Sequence, residues 1–125
     1  MDITPRLASG RQLINGYGDG GFRVAGTAHA GSVLVFPDRT VAWPVTAFAD
    51  LDIASLEPVL AAAPAVEILL IGAGAAPAFL DPEIRARIRS AGIVTDVMDS
   101  GAAARTFNVL LLEDRRVAAA LIAVD

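Results

Sequence analysis

The chain contains no cysteine, no lysine and a single histidine in 125 residues. Without thiols it has no disulfide, no thiolate metal site and no cysteine nucleophile. Without lysine it has no Schiff-base chemistry and no Walker-type phosphate lysine. All ten cationic side chains are arginine, which together with the abundant alanine reads as GC-rich coding bias rather than chemistry. No apolar stretch approaches the ~20 residues of a membrane-spanning helix. Met1–Arg6 also lack the basic start and apolar core of a signal peptide, so a cytoplasmic protein without membrane insertion is expected. A net charge of −4 with no basic cluster argues against nucleic acid as a partner. A transition-metal site would rest on His29 and carboxylates alone, so no metal and no cofactor is expected, and His29 reads as a loop residue within Gly26–Gly31.

What is present is apolar. The hydrophobic fraction is 54%, much of it alanine in runs such as Ala61–Ala63, Ala102–Ala104 and Ala118–Ala120. A chain of this length is most simply one domain that buries roughly two-thirds of its unfolded surface. Residues 1–10 read as a flexible leader broken by Pro5 and Gly10, and 11–125 as a single α/β domain. A short strand is expected at Arg11–Asn15, a flexible glycine-rich turn at Gly16–Gly21, and a second short strand from Phe22. Ser32–Phe36 and Thr40–Val45 read as a hairpin around Pro37-Asp38, with Pro44 confined to an edge because it cannot donate to a ladder.

Ser55 as N-cap would place Pro58 in the first helical turn, where no N–H is missed, and Pro64 would stop that helix. Val66–Ile71 is a buried strand, and Asp81-Pro82-Glu83 carries an N-cap, an N1 proline and an N2 acid. Ile93–Met98 is the next strand, which favours parallel pairing with a right-handed crossover. Asp99 or Ser100 caps a third helix reaching about Glu113. Arg116–Val124, apolar on both faces, belongs in the middle of a covered sheet. The short connection 113–115 suggests that this last strand runs antiparallel to its neighbours.

No motif spells out a reaction. Gly72-Ala-Gly74 follows a strand, but Pro77 and the late helix start at Asp81 break the dinucleotide fingerprint, so the glycines read as a sharp turn. A second reading combines them with the start of the third helix, because ligands in parallel sheets sit beyond the C-terminal strand ends. Gly72, Gly74, Ser100, Arg105, Thr106 and Asn108 bring backbone, hydroxyl, amide and guanidinium donors to that edge, where a small anion or a partner's carboxylate would dock. The competing reading is that these groups only cap the helix and satisfy the backbone around it. Trp43 and Phe48 are either core or an exposed patch.

Ile14-Asn-Gly-Tyr-Gly, Gly31-Ser-Val-Leu-Val-Phe-Pro37, Val66-Glu-Ile-Leu-Leu-Ile-Gly-Ala-Gly74, Arg105-Thr-Phe-Asn-Val-Leu and Glu113-Asp-Arg-Arg-Val-Ala-Ala-Ala-Leu-Ile occur in an order that resembles the Mth938-like domain family. That family includes the mitochondrial respiratory complex I assembly factor 3. The resemblance spans Ile14 to Val124 and implies a three-layer α/β domain around a mixed sheet with one strand antiparallel to the rest. It further implies a non-catalytic accessory role whose partner is an assembly factor or a membrane-complex subunit. Phe107 replaces the family's usual tyrosine, and alanine replaces a cysteine often found just before that motif, which lowers the enzyme hypothesis. The alternatives are a small-molecule or anion-binding domain at the Gly72/Arg105 edge and a self-associating domain, since the composition permits a homodimer.

Overall fold

The structure, a computed structural model, describes residues 10–125, so all of the expected leader except Gly10 lies outside the described residues. Strands β1 (Ile14–Gly18), β2 (Gly21–Val24) and β3 (Thr27–Ala30) form an antiparallel sheet of their own, which the sequence reading did not separate. Its two turns are Asp19-Gly20 and Ala25-Gly26, with φ of 52°, 76°, 49° and 81°. Positive φ at both central residues is the type I′ geometry that matches strand twist. This corrects three expectations. The first strand starts at Ile14 and runs through the glycines, only two residues of Gly16–Gly21 form the turn, and His29 sits on β3 opposite Phe22.

The expected hairpin forms as β4 (Val33–Val35) and β5 (Thr40–Ala42), with Pro44 beyond the ladder. Single 3₁₀ turns at Phe48–Asp50 and Ala54–Leu56 lead into α1 (Glu57–Leu60). Pro58 does fall in the first turn, but Ser55 caps no N–H of the helix: its own N–H donates to the Asp52 carboxylate at 2.8 Å, its hydroxyl accepts the Asp52 N–H at 3.4 Å, and the helix ends at Leu60. Then follow β6 (Ile68–Gly72), α2 (Pro82–Ser90), β7 (Val94–Met98), α3 (Ser100–Leu112) and β8 (Val117–Leu121). Asp81 accepts the Glu83 N–H at 2.8 Å and Asp99 the Ala102 N–H at 2.9 Å, each a capping bond at a helix start.

The large sheet has the order β5-β4-β8-β6-β7. β6 is parallel to both β7 and β8, while β4 is antiparallel to β8 and β5. β4 therefore opposes the other four strands. The last strand does not run antiparallel to all its neighbours, because α3 itself is the crossover that carries the chain from the end of β7 past β6 to the start of β8. The tight connection after α3 needs no further crossover.

β8 sits at the centre, and its alternation divides the core in two. Val117, Ala119 and Leu121 face Val33, Val35 and Leu70, covered by Ala103, Phe107 and Leu111 of α3 and by Ile14, Phe22 and Val24 of the small sheet. Ala118, Ala120 and Ile122 face the other way, with Leu34, Leu69 and Ile71 beneath Leu56, Val59 and Ile88. The result is a three-layer α/β domain with a mixed central sheet and three helices. Trp43 belongs to this second core, and its indole N–H donates to the Ser55 carbonyl at 2.9 Å.

Candidate functional site at the start of the third helix

The C-terminal ends of β6 and β8 meet the start of α3 at a closed joint. The Ser100 hydroxyl donates to the Ile122 carbonyl at 2.6 Å and accepts the Gly74 N–H at 3.0 Å. The Ser100 N–H donates to the Gly74 carbonyl at 2.8 Å, and the Ile122 N–H to the Gly72 carbonyl at 3.0 Å. Ser100 is fully buried. A Cβ on Gly72 would lie 2.8 Å from the Ser100 Cα and 2.9 Å from Leu121 Cδ2, so glycine is what lets helix and strand approach. Gly72, Gly74 and Ser100 thus come together as the second reading requires, but their polar groups and space are taken up by one another.

The other three residues lie further along α3. Thr106 returns its hydroxyl proton to the Ala102 carbonyl at 2.8 Å within the helix. Asn108 clamps the small sheet: its amide oxygen accepts the Ile14 N–H and its amide nitrogen donates to the Ile14 carbonyl, both at 2.8 Å. Arg105 is exposed, and a guanidinium N–H donates to the Tyr17 hydroxyl at 3.1 Å. A shallow cleft of about 120 Å³ separates β1 from α3, with Tyr17, Arg105 and Asn108 on its walls and Thr106 outside it. Of the six residues, Arg105 keeps the most freedom to meet a ligand or partner.

Tyr17 escaped the sequence reading, which had Gly101 at this edge but not its contact with Tyr17. The Tyr17 ring lies over the first turn of α3 so closely that a Cβ on Gly101 would come within 2.7 Å of its Cζ. The signal was a glycine in a helical first turn, where it costs about 1 kcal/mol relative to alanine unless something must approach. Val109 and Leu112 follow Arg105 at i+4 and i+7 and are 56% and 49% exposed, an apolar stripe on the outer face of α3.

At the opposite ends of these strands Glu67 accepts the Arg116 N–H at 3.1 Å and an Arg115 guanidinium N–H at 3.4 Å. The Arg116 backbone bond, followed by Arg115, holds the Glu67 carboxyl below the usual glutamate range, against a smaller opposing effect of burial. Among the described residues no cluster of three or more histidines or carboxylates is placed to hold a metal ion. None of the described helices is long and apolar enough to cross a membrane.

Comparison with known proteins fits this architecture. The zebrafish (Danio rerio) NADH dehydrogenase [ubiquinone] 1 alpha subcomplex assembly factor 3 is 33% identical over 122 residues, which cover 98% of this chain and 70% of that protein. A crystal structure from Bartonella henselae, described as an outer membrane protein, superposes with a TM-score of 0.86 at 41% identity, covering 93% of this chain and 98% of the other. The solution structure of a Mth938-like domain from Bordetella pertussis superposes with a TM-score of 0.84 at 28% identity, covering 98% and 92%. Residues 14–122 match the family described as protein of unknown function (DUF498/DUF598), and the chain belongs to that family.

Proposed function

We propose that this chain is a non-catalytic accessory factor that binds proteins during assembly of a respiratory or other membrane complex. The observation that carries the reading is its likeness, across 98% of its length, to a protein named as an assembly factor of NADH dehydrogenase. The geometry supports it. The polar groups at the best-placed strand ends are consumed internally, while α3 presents Arg105, Val109 and Leu112 outward beside Tyr17. An apolar stripe with a guanidinium at one end suits a protein surface carrying a carboxylate. On this reading the protein acts in the cytoplasm.

The test is a host strain lacking this gene, with its membrane complexes resolved on native gels. A lower yield of an assembled respiratory complex is expected. Wild-type protein restores it, and a folded Val109→Asp/Leu112→Asp variant does not. Affinity capture is expected to recover subunits of that same complex, and Arg105→Ala to weaken the capture. Unchanged complexes in the deletion strain sink the reading, and cell fractionation checks the compartment.

A further inference from the structure

A half-open hollow lies at the end of the sheet opposite Ser100. It has a volume of about 320 Å³, between the β4–β5 turn, the segment joining α1 to β6, and the turn from α3 into β8. Phe36, Ala63, Pro64, Val66 and Val117 supply apolar walls. Four arginines (Arg11, Arg39, Arg115 and Arg116) reach it against two aspartates, Asp38 and Asp114. Four cations against these two aspartates and Glu67, which pairs with Arg115, leave an excess of one positive charge around this hollow, in a protein whose net charge is −4. No sequence motif shows this, because the arginines come from three distant stretches.

The guanidiniums are incompletely used. Arg11 donates to Asp114 at 3.1 Å and to the Leu111 carbonyl at 2.7 Å, and its buried Nε has no acceptor among the described residues. Arg39 stacks on Phe36, 4.0 Å from the ring centroid, with one bond to Asp38. Arg116 contributes its backbone N–H to Glu67, and among the described residues its guanidinium has no hydrogen-bond partner.

We infer that this hollow is a binding site for a small amphiphile with an anionic head and an apolar body. The head meets the Arg116 and Arg39 guanidiniums, and the body lies along Phe36, Pro64 and Val66. A bare inorganic anion would gain nothing from the apolar walls, and a neutral apolar molecule would leave the guanidiniums unanswered. The site is separate from the α3 surface, so it stands or falls independently of the accessory role.

The probes are octanoate, octyl phosphate and methyl octanoate, each below its micelle concentration, titrated into ¹⁵N-labelled full chain and followed by NMR and by melting temperature. Octanoate or octyl phosphate is expected to move the amides of Ala62, Ala63, Val66, Arg116 and Val117 while leaving Gly101 to Arg105 still. The tighter of the two identifies the head as carboxylate or phosphate. The ester is expected to bind at least tenfold more weakly. Arg116→Gln and, as an independent variant, Arg39→Gln are each expected to weaken the anion about tenfold with the unfolding midpoint unchanged. Ala63→Phe, which fills the hollow, is expected to abolish the shifts. Absent or scattered shifts with both anions overturn the proposal, as does equal binding of the ester or shifts that survive Ala63→Phe.

Discussion

Asn108 spends both ends of its amide on the backbone of Ile14, so Asn108→Leu strips two partly buried groups of their partner at once. The expected loss is about 1–3 kcal/mol, seen as a lower urea midpoint and as faster hydrogen exchange at Ile14. Gly72→Ala is expected to cost about 1–3 kcal/mol or more, because the added methyl meets the Ser100 backbone and Leu121 at under 3 Å and backbone cannot turn aside. Gly74→Ala meets nothing nearer than 3.9 Å and suffers only from its φ of 102°. Gly72→Ala should therefore be the worse of the two when unfolding midpoints are compared. The residue types at this joint were legible in the chain; their partners were not. Ser100 finds Gly74 and Ile122 only because two strands and a helix converge, and Asn108 finds Ile14 across 94 residues of sequence.

Elements with a strong local signal form as the sequence predicts. Asp81 caps α2 through the Glu83 N–H, and Asp81→Ala is expected to lower stability by about 1 kcal/mol, measurable by urea denaturation. Elements with weak local signals shifted. α1 shrank to Glu57–Leu60 because Asp52 organises the turn before it, and β1 advanced into the glycines because a type I′ turn needs only two residues. Glu67 ties the approach to β6 to the start of β8, and its carboxyl titrates lower in the folded chain than in the unfolded one. A depressed carboxyl contributes stability that is fully present above its unfolded value and disappears as pH falls through its lower folded value. Glu67→Gln should therefore weaken the protein at neutral pH and flatten the acid side of its stability curve, checked by urea midpoints across the carboxylate range.

At the scale of the whole molecule, β8 decides whether there is a fold. It lies between β4 and β6, and all five of its residues are buried. A chain ending at Glu113 would leave β4 and β6 without their shared partner and both halves of the core open. Such a chain is expected to lack dispersed amide NMR signals and to be digested readily by protease, whereas the full chain is expected to show dispersed signals and to resist digestion. Ala118, Ala119 and Ala120 keep the sheet thin where it is covered on both faces, so Ala119→Leu forces α3 outward and should cost more than the same change at the exposed Ala49.

By itself the sequence determined the α/β class, the helix start marked by Asp81-Pro82, the start of the third helix at Asp99 or Ser100, the hairpin after Gly31 and the central place of the last strand. These depend on local capping chemistry and on the period of apolar residues, which neighbours in the chain carry. The tertiary structure alone decided that β4, not β8, opposes the sheet, that Gly72, Gly74 and Ser100 close on one another, and that four arginines from three separated stretches line one hollow. Each of those depends on which strand pairs with which. Pairing is set by the burial of the whole apolar surface at once, a sum over distant residues that no local window contains.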